Sequence, residues 1–244
     1  MSVILVVAAH PDDEILGVGA TIARKIAEGN KAFALILGEG QTSRWKSREN
    51  AEKDVVLALH KDSMEAAKVI GYTDIYLESL PDNRFDRLDL LDVVKTVEKY
   101  VGRVKPDIIY THHQKDLNID HRITFEAVLT ATRPMEDCPV REIYAFETVS
   151  STEWNFGNKE RIFYPNVFVD VSGFFETKCE AMRKYKSELC QFPHPRSIEM
   201  LEITAKRWGA IVGRQYVEAF ELIRLIDPVC GSYVRQSNDG VREM

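Results

Sequence analysis

Cysteine is sparse in this chain of 244 residues, and the four present, Cys138, Cys179, Cys190 and Cys230, form no CxxC pair. Cys179 and Cys190 fall on one predicted helix, about three turns or 16 Å apart, too far for a bridge. All four read as reduced thiols of a cytosolic protein. No disulfide framework is needed, because a chain of this size buries a full core unaided. Basic excess is also lacking. The net charge of −6 argues against nucleic-acid binding, which needs a basic footprint. The one concentrated basic stretch, Lys178 to Lys186, is interleaved with Glu180 and followed by Glu188, the pattern of a solvated helix face. The run Val3 to Ala9 is too short to span a bilayer, and neither a charged leader nor a cleavage motif precedes it. The sequence thus predicts a cytoplasmic protein with no integral membrane segment. Linkers rich in Pro, Gly or Ser, repeats and low-complexity segments are missing too. What remains, 45% hydrophobic and 29% charged, is the composition of a soluble globular enzyme.

Val3 to Ala9 is continuous, apolar and β-branched, as a strand buried on both faces requires. Residues 13–28 follow with Ile15, Val18, Ile22 and Ile26 at helical spacing, closed by Gly29-Asn30. Strands are expected again at Ala32–Leu37, Asp74–Leu77, Asp107–Thr111 and Glu142–Phe146. Helices alternate with them at Arg48–Ile70, Leu88–Val104 and His121–Ala131. Parallel neighbours need such crossovers, so the class is α/β: a Rossmann-like parallel sheet with flanking helices on both faces. The alternation then breaks. A strand at Val167–Val171, helices near Thr177–Gln191 and Ser197–Val212, and a last strand at Ala219–Ile226 form a C-terminal α+β annex. The expected organisation is one domain over residues 1–230, a core at 1–145 with the annex at 146–230 packed on it. A polar tail occupies 231–244.

Ligands of open parallel sheets bind beyond the carboxyl ends of the strands, where the strand order reverses. The segments leaving the first and fourth strands there are Ala9-His10-Pro11-Asp12-Asp13-Glu14 and His112-His113-Gln114-Lys115-Asp116-Leu117-Asn118-Ile119-Asp120-His121. Histidines and carboxylates from two distant loops thus converge on one crevice. Imidazole and carboxylate donors suit zinc, which in catalytic sites takes three protein ligands and keeps one position open. His10 and Asp13, three residues apart around Pro11, can meet one ion, and His121 can reach it from the other side. Asp12 is then free to take a proton from water. Singly, each motif also fits an ordinary helix start, with acids complementing the macrodipole or Asp120 as an N-cap. Together, at two predicted strand ends, they do not.

These residues resemble the LmbE-like, or PIG-L-type, zinc deacetylases of N-acetylglucosaminyl compounds. The likeness rests on HPDDE after the first strand and Asp-His after the fourth; it is firm over residues 1–145 and looser to about residue 225. It implies one Zn2+ per subunit held by His10, Asp13 and His121, with Asp12 as general base and Asp120 orienting a ligand. It also implies a small amino sugar as substrate and a homo-oligomer. One departure stands out. Family members carry a histidine three residues before the last ligand, proposed as acid or oxyanion donor, and here that position is Asn118. An amide can donate to an oxyanion but cannot protonate a leaving amine. Unless Asp12 returns its proton, the candidates for that step are His113, Asp116 and His194.

His194 lies in Phe192-Pro193-His194-Pro195-Arg196, a loop stiffened by two prolines, where Arg196 could grip a carboxylate or phosphate. Arg44 or Arg48, beyond the second strand, could contact substrate, as could His113, Asp116 and Asn118. Asp82-Asn83-Arg84, Glu147 and Ser150-Ser151-Thr152 have a weaker claim. The three arginines slightly favour an anionic substituent. Two other readings compete. A dinucleotide-binding oxidoreductase is disfavoured, since Gly17-Val18-Gly19-Ala20 lies inside the first helix and no GxGxxG fills the strand–helix turn. A non-catalytic metal- and sugar-binding protein is suggested by Asn118 alone.

Overall fold

The computed structural model describes residues 1–46, 48–50, 53–156 and 159–227. Cys230, the predicted tail 231–244 and Ser47 lie outside the described residues. Seven strands form one sheet in the order β3-β2-β1-β4-β5-β7-β6. They are β1 (Val3–Ala8), β2 (Lys31–Gly38), β3 (Asp74–Leu80), β4 (Ile108–His112), β5 (Glu142–Phe146), β6 (Val167–Asp170) and β7 (Val217–Leu225). The first five pair in parallel, whereas β7 runs antiparallel to β5 and to β6. The order reverses between β1 and β4, so a crevice opens beyond Ala8 and His112.

Alternation along β1 sorts its side chains between two cores. Ile4 and Val6 join a cluster with α2 (Gly19–Ala27), α3 (Lys53–Ile70), α6 (Phe175–Met182) and α7 (Ile198–Val212). Leu5 and Val7 join the other, beneath α4 (Leu90–Val104) and α5 (Ile119–Ala131). The first cluster runs without a break from Ile4 to Met182, Leu201 and Phe220, so the C-terminal segment shares the core of the parallel sheet. Its two strands do not lie on that sheet but extend its edge.

The helix expected over residues 13–28 is two helices, α1 (Asp13–Leu16) and α2. A buried ion pair from the C-terminal half holds the break open. The Lys178 ammonium donates to the last carbonyl of α1, Leu16 O, at 2.7 Å and to Glu218 Oε1 at 2.6 Å. Glu218 in turn accepts from Thr21 N at 2.7 Å and Ala20 N at 3.3 Å, two orphan donors of α2. Gly17 at the break is obligatory, because a Cβ there would come within 2.2 Å of the Phe146 ring. Lys178 is therefore buried, not part of a solvated face. The helix expected over 177–191 ends at Met182, because Tyr185 turns inward and is fully buried. Cys179 and Cys190 consequently do not share a helix, and both are free thiols, as is Cys138. Among the described residues no helix is long and apolar enough to cross a membrane.

Candidate metal and catalytic site

The turn after β1 brings His10, Pro11 and Asp12 to the crevice, with Asp13 and Glu14 buried behind them. Asp12 adopts φ 101°, a left-handed conformation that Asp tolerates better than most residues. Asp13 N donates to His10 O at 3.3 Å, and Asp13 Oδ2 accepts from His10 N at 2.8 Å, which closes the turn. Across the switch point, Asn118 caps α5 by accepting from Asp120 N at 2.8 Å. That cap places His121 in the first turn of α5, with its ring against that of His112 at the carboxyl end of β4.

Three atoms able to ligate a metal ion meet there. His10 Nδ1 and His121 Nε2 each lie 3.4 Å from Asp13 Oδ2. Ligands at about 2.0–2.1 Å from a tetrahedral zinc are separated by about 3.4 Å, so the spacing fits such an ion. The far nitrogens face carboxylates. His10 Nε2 is 2.9 Å from Asp120 Oδ2, and His121 Nδ1 is 3.1 Å from Asp116 Oδ1, off the line of an ideal hydrogen bond. Each carboxylate favours the tautomer that turns a lone pair toward Asp13. Asp120 is fixed by Phe85 N at 2.9 Å, and Asp116 by the hydroxyls of Ser151 and Thr152.

Charge argues the same way. Asp12, Asp13, Asp82, Asp116, Asp120 and Glu188 are all buried in or beside the crevice, whereas the arginines among its lining residues are Arg44 and Arg196. Burial alone would lower the His121 imidazole, yet Asp13 and Asp116 outweigh it and raise it to about 9. His10 is raised likewise, burial being overcome by Asp120 and Asp13. A cluster that draws protons onto two imidazoles is one that favours a cation. Asp12 is raised mainly by burial, against the pull of Arg196.

His112 is a site residue that the sequence reading left without a role. Its Nε2 accepts from Ala9 N at 2.8 Å, so the ring is neutral and Nδ1 faces Thr148 Oγ1 at 3.1 Å. Burial and the neighbouring His121 lower its pKa accordingly. The ring stacks on the His121 ring at 3.9 Å and 16°, forming the wall behind it. Glu14, in the first turn of α1, is fully buried, pushed up to about 8 by that burial, and bound by the Tyr185 hydroxyl at 2.5 Å.

The crevice itself encloses about 190 Å³. Asp12, Asp82, Asn83, Asn118, Ser150 and Arg196 are among its lining residues, with Arg44 at the mouth. Several expected contacts lie elsewhere. His113 points to the opposite side of β4, with Nδ1 2.7 Å from Glu221 and the ring edge-on to Phe163, because strand alternation separates it from His112. Asp116 is buried beneath His121 and has no face on the crevice. Arg48 forms a two-pronged pair with Glu39 outside it. His194 accepts from Arg196 N through Nδ1 and packs edge-on to Trp154, away from the lining. Arg44 and Arg196 both bind Glu188 and Arg48 binds Glu39, so each of the three arginines already has a carboxylate partner. Asn118 Nδ2 donates to Asn83 Oδ1 at 2.9 Å. Asp82, 3.4 Å from His10 Nε2, is closer to the chemistry than its weak sequence signal indicated.

The profile of the PIG-L family, described as GlcNAc-PI de-N-acetylase, matches residues 5–132, just over half the chain. An uncharacterized deacetylase of Escherichia coli strain K12, YaiS, is 29% identical over 190 residues, which cover 75% of this chain and 90% of the relative. N,N'-diacetylchitobiose deacetylase from Pyrococcus horikoshii superimposes with a TM-score of 0.71 at 20% identity, covering 91% of this chain and 84% of that one. The 4-carboxy-2-hydroxymuconate hydratase of Pseudomonas putida KT2440 does so with a TM-score of 0.69 at 21% identity, over 94% and 100%. At such identities the two structures speak for the fold, which carries more than one chemistry.

Proposed function

Because the chain belongs to the PIG-L family of de-N-acetylases, we propose that it is a zinc-dependent hydrolase removing the acetyl group from an N-acetylglucosamine-type amino sugar. The observation that carries the reading is the pair of 3.4 Å separations from Asp13 to His10 and His121, with the Asp12 carboxylate beside them. His10, Asp13 and His121 would hold the ion, one per chain. Zinc, when bound, supplies Lewis acidity: it makes water a nucleophile near neutral pH and polarises a carbonyl.

The chain's own groups do the rest. Asp12 has one oxygen held by Arg196, leaving the other to take a proton from the attacking water. The same carboxyl then protonates the leaving amine, since His113, Asp116 and His194 lie off the crevice. Asn118 has its amide committed to Asn83 and to the helix cap, so it shapes the floor of the crevice with Asn83 and Asp82. Side chains such as Ser43, Ser150 and Ser151 line the walls and are suited to sugar hydroxyls. The reading takes the protein to be a cytoplasmic homo-oligomer, which fractionation and sedimentation test.

The decisive experiment combines metal analysis with acetate release from a panel of N-acetylhexosamine conjugates. One zinc per chain and acetate from at least one conjugate are expected. Asp12→Ala should retain zinc and lose turnover, whereas His10→Ala should lose both. Full activity in zinc-free protein would sink the reading. A hydratase on this fold would also activate water but would release no acetate.

A further inference from the structure

Arg196 is, among the described residues, the only side chain that hydrogen-bonds the Asp12 carboxylate, at 3.0 Å and across 184 positions of sequence. It is not a loose surface arm. Its Nε donates to Ser150 Oγ at 2.8 Å, and the Nη1 that reaches Asp12 also donates to Glu188 Oε2 at 2.6 Å. Its backbone is held as well, with Arg196 N donating to His194 Nδ1 and Arg196 O accepting from Cys190 N. The next residue, Ser197, is the N-cap of α7, so the segment ends on a fixed element. Glu188 is buried and binds Gln41 at 2.5 Å and Arg44 at 2.7 Å besides Arg196. It thereby ties the loop beyond β2 to the loop before α7.

Asp12 needs such support. Its left-handed backbone sets the carboxylate at the crevice, and among the described residues no other side chain hydrogen-bonds it. A base that must meet a water at hydrogen-bond distance loses rate steeply when it is misplaced. We infer that Arg196 is a positioning residue that fixes the Asp12 carboxylate for proton transfer, and that Glu188 seats Arg196 in turn. The inference rests on the proposed role of Asp12. It assigns the C-terminal half a part in the chemistry without giving it a metal ligand.

The test measures kcat, KM, zinc content and melting temperature for wild type, Arg196→Ala, Arg196→Lys and Glu188→Gln. Arg196→Ala should keep its zinc and lose roughly 100-fold in kcat, the scale of an ångström-sized misplacement. KM should change by no more than about twofold, because the lost interaction serves the transition state and not substrate binding. Millimolar guanidinium should restore part of the rate by refilling the vacated position. Arg196→Lys should recover little, since one ammonium cannot span Asp12, Glu188 and Ser150 together. Glu188→Gln, which leaves Asp12 and Arg196 intact, should fall between wild type and Arg196→Ala. A rise in KM at unchanged kcat would make Arg196 a substrate ligand and overturn the inference, as would unchanged kinetics or a loss that follows zinc loss. If wild type releases no acetate from any conjugate, the deacetylase reading fails first; if wild type is active and Arg196→Ala matches it, only this inference fails.

Discussion

At the scale of single residues, the site is built from pairs of histidine and carboxylate, and the outer carboxylates carry as much information as the proposed ligands. Asp120 faces His10 and Asp116 faces His121, each on the ring nitrogen remote from Asp13. Replacing Asp120 by Asn keeps the contact to Phe85 N but removes the charge that fixes the His10 tautomer. Asp116→Asn does the same for His121. Each should weaken zinc binding by about 10- to 100-fold, the usual effect of an outer-shell carboxylate, without abolishing it. Competition against a chromogenic chelator reads this directly. An affinity equal to wild type in both variants would mean that the rings are held by packing, chiefly the stack of His121 on His112.

Legibility at this scale followed chemistry that shows in residue type. His10, Asp13 and His121 announce themselves as donors, and the structure brings those three together. His112 and His113 could not be told apart in the same way. Adjacent residues on a strand point to opposite faces, and only the register of β4 against β5 and the position of Glu221 on β7 decide which face is which. Arg196 was legible as a residue suited to grip an acid, but the acid it grips is Asp12, a choice made by tertiary structure alone.

At the scale of elements, the α1–α2 break is the piece of the fold that sets the site, because α1 carries Asp13 and Glu14. Hydrophobic spacing of Ile15, Val18, Ile22 and Ile26 continues through the break, so periodicity predicts one helix there. What overrides it is the Lys178–Glu218 pair, contributed by residues 160 and more positions away. Helix ends need partners for their orphan groups, and this pair serves both ends at once. The other failure has the same origin: the helix expected over 177–191 stops where Tyr185 turns in to meet Glu14. Lys178→Met should therefore be costly, since it strands the buried Glu218 charge and the Leu16 carbonyl. About 3–5 kcal/mol is expected for breaking one side of a buried pair. Adding Glu218→Gln should return part of that loss, since the stranded charge is gone. Urea unfolding of Lys178→Met, Glu218→Gln and the double variant measures it, and a double variant whose loss equals or exceeds the sum of the two singles would show that the pair is not coupled.

At the scale of the whole molecule, the question is whether the C-terminal segment is a separable unit. Sequence alternation ends near residue 146, which invites a cut there. The structure supplies reasons against one. β7 pairs with β5 along residues 142–146, so removing it exposes an edge of the central sheet. Met182, Tyr185, Leu201 and Phe220 share one core with Ile4, Val6 and Ile22, and their loss would leave that face of the sheet bare. Lys178 and Glu218 would go with them, freeing both helix ends beside Asp13. We therefore expect a chain truncated after residue 150 to be insoluble or molten, with near-ultraviolet dichroism lost. The full chain should unfold in one transition that coincides by far-ultraviolet dichroism, tryptophan fluorescence and calorimetry. In a Trp45→Phe background the remaining tryptophans, Trp154 and Trp208, report the C-terminal half, whereas the helical signal comes from both halves. A tryptophan transition separated from the helical one would show the two halves to be independent, and the site would then be open to a soluble core bearing His10, Asp13 and His121 alone.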